Sequence, residues 1–303
     1  MYWFFGCDKI KISIVTDSTA DLNQKILYEY QIEVVPLSVN FSNKVYTDGV
    51  DLNAKEFFTK LKEVDYLPKT SQPSLKAFET KYNELKDKYD KILSIHVSDG
   101  LSGTYKTATK AASKIRGIDI ETFDSASISL GLGFMVLLAA KLAQKLNSID
   151  KIIEKLEKTK ENLLLYFTVD DMEYMEKGGR IGKAKAMLGS ILNINPIISI
   201  STETGKVLPL DKTRGKKRTT QKMLDLALDK LENSNKAWLG FAHGDRYSDM
   251  TNFKEKLINK INANLNLDFE TFTTRISPTL GCHVGPSVYA VIILNLDFVD
   301  DLL

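Results

Sequence analysis

Two short stretches of this 303-residue chain gather hydroxyl side chains where one element gives way to another: "SDGLSGTY" (98–105) and "PKTSQPS" (68–74). In the first, the apolar run "KILSIHV" enters as a strand and "TYKTATKAASKI" leaves as a helix. Free backbone N–H groups and the positive end of a helix dipole therefore meet at the loop. Gly100 and Gly103 permit close approach, and Ser98, Ser102 and Thr104 add donors, a combination suited to an anion. In the second stretch Thr70 and Ser71 lie between Pro68 and Pro73, with Ser74 just beyond, at the start of a helix predicted over Leu75–Tyr89. Capping and proline at a first helical turn give both clusters an ordinary structural role as well. If the sheet is parallel, both junctions fall along strand ends on one side of it, where open α/β sheets bind ligands. Two hydroxyl clusters without an obligatory arginine or lysine suit a single carboxylate.

The loops do not suit a nucleotide. The chain has no G-x-x-x-x-G-K-[ST], and no G-x-G-x-x-G opens a helix after the first strand; Gly131 and Gly133 lie inside an apolar helical run. Ser102 is not in G-x-S-x-G either. A free-standing hydrolase with Ser102 as nucleophile and His283 as base stays as the enzymatic alternative, with no third member identifiable. Of the three histidines, His96 sits in an apolar strand and reads as a packed core residue. His243 in "FAHGD" ends a strand and reads as structural. His283 in "GCHVGPS" is read in a Gly- and Pro-rich loop, and contact with a ligand and a structural hydrogen bond are both open for it.

The elements around these residues alternate. "KISIVT", "IEVVPLSVNF", "KILSIHV" and "IDIETF" read as strands, separated by helical patterns, which implies an α/β fold whose first domain is a mostly parallel sheet with helices on both faces. A charged helix, "SIDKIIEKLEKTKEN", closes that half, so the chain divides into residues 1–160 and 161–303, a second α/β domain. Residues 1–10, with the unexplained "YWFF", form an extension. "INPIISIS" and "GKVLPLDKTR" read as a hairpin around Glu203-Thr204-Gly205.

Composition narrows the function. Lys and Arg number 41 against 39 Asp and Glu, a formal net charge of +2, so no global basic field argues for nucleic acid. The basic stretches "KGGRIGKAK" and "DKTRGKKRTTQK" lack interleaved aromatics and fit a local docking surface better. A regulatory nucleic-acid-binding protein using Arg214 to Arg218 is the third reading. Two cysteines make no disulfide framework or metal site, which fits a reduced, cytoplasmic compartment. The apolar run "LGLGFMVLLAA" stops short of a membrane span.

"VTDSTADL", "PKTSQPS", "GLSGTY", "KGGRIGK", "KTRGKK" and "HVGPS", in that order, resemble the DegV family of bacterial fatty-acid-binding proteins from about Lys11 onward. The resemblance implies two α/β domains enclosing a long-chain fatty acid, its tail in an apolar tunnel and its carboxylate at the hydroxyl clusters. It implies a lipid carrier without an ATP site or cofactor of its own, serving as the fatty-acid-binding subunit of a kinase. A separate ATP-dependent subunit phosphorylates the acid for phospholipid metabolism, and transient membrane contact is compatible with that role. Carried over by motif, Thr70, Ser71, Ser98, Ser102, Gly103 and His283 would meet the head group. Arg214 would face the kinase subunit, with Arg180 a second residue of that surface. Asp99 stands where the family often has a serine, and Ser287 replaces the usual last glycine of Gly-Pro-Gly.

Overall fold

The structure is a computed structural model, and it describes residues 10–42, 44–187 and 194–302. The "YWFF" segment lies outside them. In the first half the chain runs β1 (Ile12–Asp17), α1 (Gln24–Glu29), β2 (Glu33–Val35), β3 (Ser38–Phe41), β4 (Lys44–Thr47), α2 (Ala54–Leu61), β5 (Lys69–Ser71), α3 (Leu75–Leu85), β6 (Lys91–His96), α4 (Thr104–Ala112) and β7 (Asp119–Asp124). Strands β2-β1-β6-β7, in that order, form a sheet in which every pairing is parallel. Its inner strands, β1 and β6, are almost wholly buried and rich in Ile, Val and Leu because both faces are covered. Phe78 and Tyr82 of α3 and Ala108 of α4 cover one face.

The other face is covered by α5 (Ser129–Ala143), which is buried nearly all round. A helix apolar on every side needs partners on every side. It packs on β1 and β6 and also on a second sheet, built from strands of the C-terminal half. The chain continues through α6 (Ile149–Asn162), β8 (Leu163–Thr168), α7 (Glu173–Lys177), β9 (Ile194–Ile200), β10 (Val207–Arg214), α8 (Lys216–Leu231), β11 (Lys236–His243), α9 (Tyr247–Asn264), β12 (Asp268–Arg275), α10 (Pro278–Val284) and β13 (Tyr289–Asn295). The six-stranded order is β10-β9-β8-β13-β11-β12, with only β11 and β12 parallel. Met223 of α8 and Phe253 of α9 lie in the core on its outer face.

Two elements depart from the expectation. "IEVVPLSVNF" breaks at Pro36 into β2 and β3, because proline offers no ladder donor and the chain there changes sheets. The second piece, β3, pairs antiparallel with β4 and β5 in a separate three-stranded sheet. Thr70 and Ser71 consequently lie on strand β5, opposite Val39 and Ser38, and not at a helix start or on the parallel sheet. "GCHV" is the end of helix α10, so the expected loop around His283 is a helical turn.

Candidate functional site

Between the parallel sheet, the small sheet and the C-terminal half lies a cavity of about 340 Å³. Val97, Ile128, Phe167, Ile200 and Leu280 are among its apolar lining, and Thr70, Ser71, Ser102 and His283 line it as well. A volume of this size with a mainly apolar wall and a few convergent polar groups is what small-ligand sites have.

The polar end is built by three elements. Strand β5 supplies Thr70 and Ser71. The loop entering α4 supplies Ser102, whose Oγ lies 2.9 Å from Thr104 Oγ1 and accepts from the Thr104 N–H at 3.3 Å. Helix α10 supplies His283, whose Nε2 lies 2.8 Å from Thr70 Oγ1. Gln72, next to Ser71, donates from Nε2 to Thr107 Oγ1 at 2.6 Å and so fastens the β5–α3 junction to the first turn of α4. Ser74 caps α3, accepting from Ala77 N–H at its start. Ser102 both meets the α4 terminus and faces the cavity.

His283 is held uncharged. Burial, with a smaller contribution from the Arg180 guanidinium, pushes its pKa down to about 4, since desolvation disfavours the charged imidazole. Its tautomer follows from the other nitrogen. Nδ1 is buried without a hydrogen-bond partner and abuts Gly178, where an added Cβ would come within 2.7 Å of it. A proton on Nδ1 would be a buried donor with no acceptor, a costlier state than an unpaired lone pair. The proton therefore belongs on Nε2, which donates to Thr70 Oγ1. Thr70 then keeps its own O–H for whatever occupies the cavity.

Arg180 lies at the edge of the cavity. Its Nε donates to Leu101 O at 3.3 Å and its Nη1 to Gly178 O at 2.9 Å, bridging the glycine turn after α7 to the Leu101 loop. It is a wall of the site more than a remote docking residue. Arg214 is exposed at the far end of β10, paired with Ile194.

Two expected head-group residues are placed elsewhere. Ser98 is fully buried and donates from Oγ to Gly205 O at 2.7 Å, tying the loop to the β9–β10 turn. Gly205 has φ of 64°, and a Cβ there would meet Ser98 Oγ, so the contact needs a glycine for conformation and space alike. Gly103 makes room for the Gln72 side chain, 2.3 Å from where its Cβ would be, and does not line the cavity. Asp99, a concern for any anion, turns away to Lys106 at 2.8 Å.

Sequence reasoning missed Thr19 and Thr279, which both line the cavity. Thr19 donates to Asp17 Oδ1 at 2.6 Å, while Thr279 Oγ1 is buried without a partner. The signal for Thr279 was its i, i+4 spacing from His283, legible only if "PTLGCHV" is read as a helix. His96 is in the core as expected, and it is also the centre of a hydrogen-bond chain: Ser94 Oγ lies 2.7 Å from its Nε2 and Asp17 Oδ2 3.0 Å from its Nδ1. That Ser–His–Asp arrangement is fully buried and braces β6 against β1. Ser102 and His283, the pair of the hydrolase reading, are each bonded to a threonine instead of to one another. Among the described residues no group of three or more His, Cys, Asp or Glu side chains could hold a metal ion, and no helix is long and apolar enough to cross a membrane.

Residues 11–296 match the family model described as "Uncharacterised protein, DegV family". The chain is 31% identical over 283 residues to Protein DegV of Bacillus subtilis, covering 93% of this chain and 98% of that one. It is 34% identical over 287 residues to a DegV domain-containing protein of Clostridium acetobutylicum, 94% of this chain and 99% of the other. A DegV family protein from Thermus thermophilus, described for its fatty acid binding, superposes with a TM-score of 0.88 at 30% identity over 95% of this chain and 100% of its own. The crystal structure of Bacillus subtilis DegV, a fatty acid binding protein, gives 0.87 at 30% identity over 94% and 99%.

Proposed function

The chain belongs to the DegV family, and from that premise we propose that it is a carrier that holds a long-chain fatty acid in the inner cavity. The observation that carries the reading is the Thr70 Oγ1–His283 Nε2 pair, 2.8 Å apart, at the polar end of an apolar cavity that Ser71 and Ser102 also line. A fatty acid matches both halves of that wall. Burying a dozen methylenes at roughly 0.8 kcal/mol each is worth about 10 kcal/mol gross, before ordering costs. Hydrogen bonds to a charged head group add about 1.5–3 kcal/mol each at best. The tail therefore sets affinity and the hydroxyls set direction.

The same arrangement supports a finer reading, in which the carrier presents its carboxylate to a separate ATP-dependent kinase subunit. A carboxylate held by neutral donors keeps an unpaired oxygen nucleophilic, where a tight ion pair would quench it. That oxygen would attack the γ-phosphorus of the nucleoside triphosphate on the kinase subunit. The new O–P bond forms as the bond to the bridging oxygen breaks, and the nucleoside diphosphate leaves. Arg214, outside the cavity, is our candidate for the kinase-facing surface.

The test is a paired readout on Thr70→Val combined with Ser102→Ala. Fatty-acid affinity falls modestly, about tenfold, because the tail contacts survive. Acyl-phosphate formation with the kinase subunit falls to a few per cent or less, because the head group is no longer aimed. Unchanged acyl-phosphate yield would refute the head-group assignment.

A further inference from the structure

Behind the Thr70–His283 pair lies a second cavity, about 570 Å³, which shares Thr70, His283 and Arg180 with the inner one. Its wall differs in kind. Lys69, Lys177 and Arg180 line it, together with Tyr66, Asp65 and Glu173. The inner cavity thus ends where a charged outer cavity begins, and the residues between them are those that would hold a carboxylate.

We infer that this outer cavity is a binding site for a phosphoryl group joined to the head group, with Lys69, Lys177 and Arg180 as its cations. The inference rests on the carrier reading above and adds the site of the phosphorylated form. Phosphorylation replaces a single negative charge with about two, which neutral hydroxyls cannot balance. The added charge is produced beside Thr70 and His283 and needs cations within reach. Three cations against two carboxylates give the wall a net charge of +1, and one carboxylate is already engaged: Glu173 is ion-paired with Lys177. A phosphoryl group competes with Glu173 for that ammonium, so Glu173 sets how weakly the product is held. A carrier that must pass its product on gains from such a competitor.

The opposed roles of lysine and glutamate give the experiment two signs. Palmitate and hexadecyl phosphate, equal in carbon number and different in head, are titrated against the full chain by displacement of a fluorescent fatty acid. Lys69→Ala with Lys177→Ala weakens hexadecyl phosphate about tenfold and leaves palmitate within twofold. Glu173→Gln tightens hexadecyl phosphate at least threefold and again leaves palmitate alone. If both ligands shift together, or neither shifts, with palmitate still bound by the wild type, the outer cavity is not a phosphoryl site and the carrier reading stands. If the wild type binds no palmitate, both fall.

Discussion

His283 is the residue on which the head-group geometry turns, and its protonation is open to measurement. Its pKa is lowered by burial to about 4, against about 6.5 in an unfolded chain. Between those values the unfolded state takes up a proton that the folded state refuses, so stability falls as pH drops from about 6.5 towards 4. His283→Gln should lack that component, so its melting temperature should fall less than that of wild type as pH drops across the same window, and the variant gains on wild type whatever the offset at pH 7. The imidazole resonance of His283 in a two-dimensional NMR titration should move near pH 4. Movement near 6.5 would mean a solvated, switchable histidine, and the Nε2–H tautomer argument would lose its basis. The residue types were legible in sequence, since Thr70, Ser71, Ser102 and His283 all reach the cavity. Ser98 was not, because a serine in a glycine-rich loop looks the same whether it faces a ligand or the Gly205 carbonyl. Only the arrival of the β9–β10 turn from the other half of the chain decides between them.

At the scale of elements, helix α10 matters most, because it carries both Thr279 and His283. Two buried carboxylates fix its N-terminal end. Asp21 accepts from Ser277 N–H at 2.9 Å and from Ser129 Oγ at 2.6 Å, joining the turn after β1, the start of α5 and the start of α10. Asp48 accepts from Thr279 N–H at 3.2 Å and from Ser18 Oγ at 3.0 Å. Burial raises the Asp21 pKa to about 7 and the Asp48 pKa to about 6, above the usual carboxylate range. For Asp21 the folded pKa exceeds the unfolded one, so its contribution is fully present below about pH 4 and is lost as pH rises through about 7. Asp21→Asn carries no such dependence. Its melting temperature relative to wild type should therefore climb from pH 4 to pH 8 in thermal unfolding, whatever the offset at pH 4. A constant difference would show Asp21 to be ionised in the fold throughout. None of this was legible in "DSTADL" read as cap chemistry, since the partners of Asp21 lie 108 and 256 residues away. The helix itself was missed because Gly281 before His283 and Gly285-Pro286 after it mimic a loop; Ser277 as N-cap and Pro278 at its first turn were the overlooked start signal.

Across the whole molecule, the two sheets share α5, and the hydroxyl groups come together because three sheets converge on one cavity. Alternating strands and helices made the parallel sheet legible, as periodicity and β-branched runs are local properties. The three-stranded sheet was not, because Pro36 and the short β5 give no periodic signal of their own. Arg214 stands seven residues along β10 from Val207, which lines the cavity, so about 24 Å at strand rise separates them. Arg214→Ala should leave fatty-acid loading at the wild-type level and abolish acyl-phosphate formation with the kinase subunit. Loading that collapsed as well would assign Arg214 to the fold and not to docking. The most direct measurement is made on the freshly purified wild-type chain: organic extraction followed by mass spectrometry and quantitation against protein. Long-chain fatty acid approaching one molecule per chain is the expected result. Extracts with no fatty acid, from protein that also fails to take up added palmitate, would contradict the account at its root.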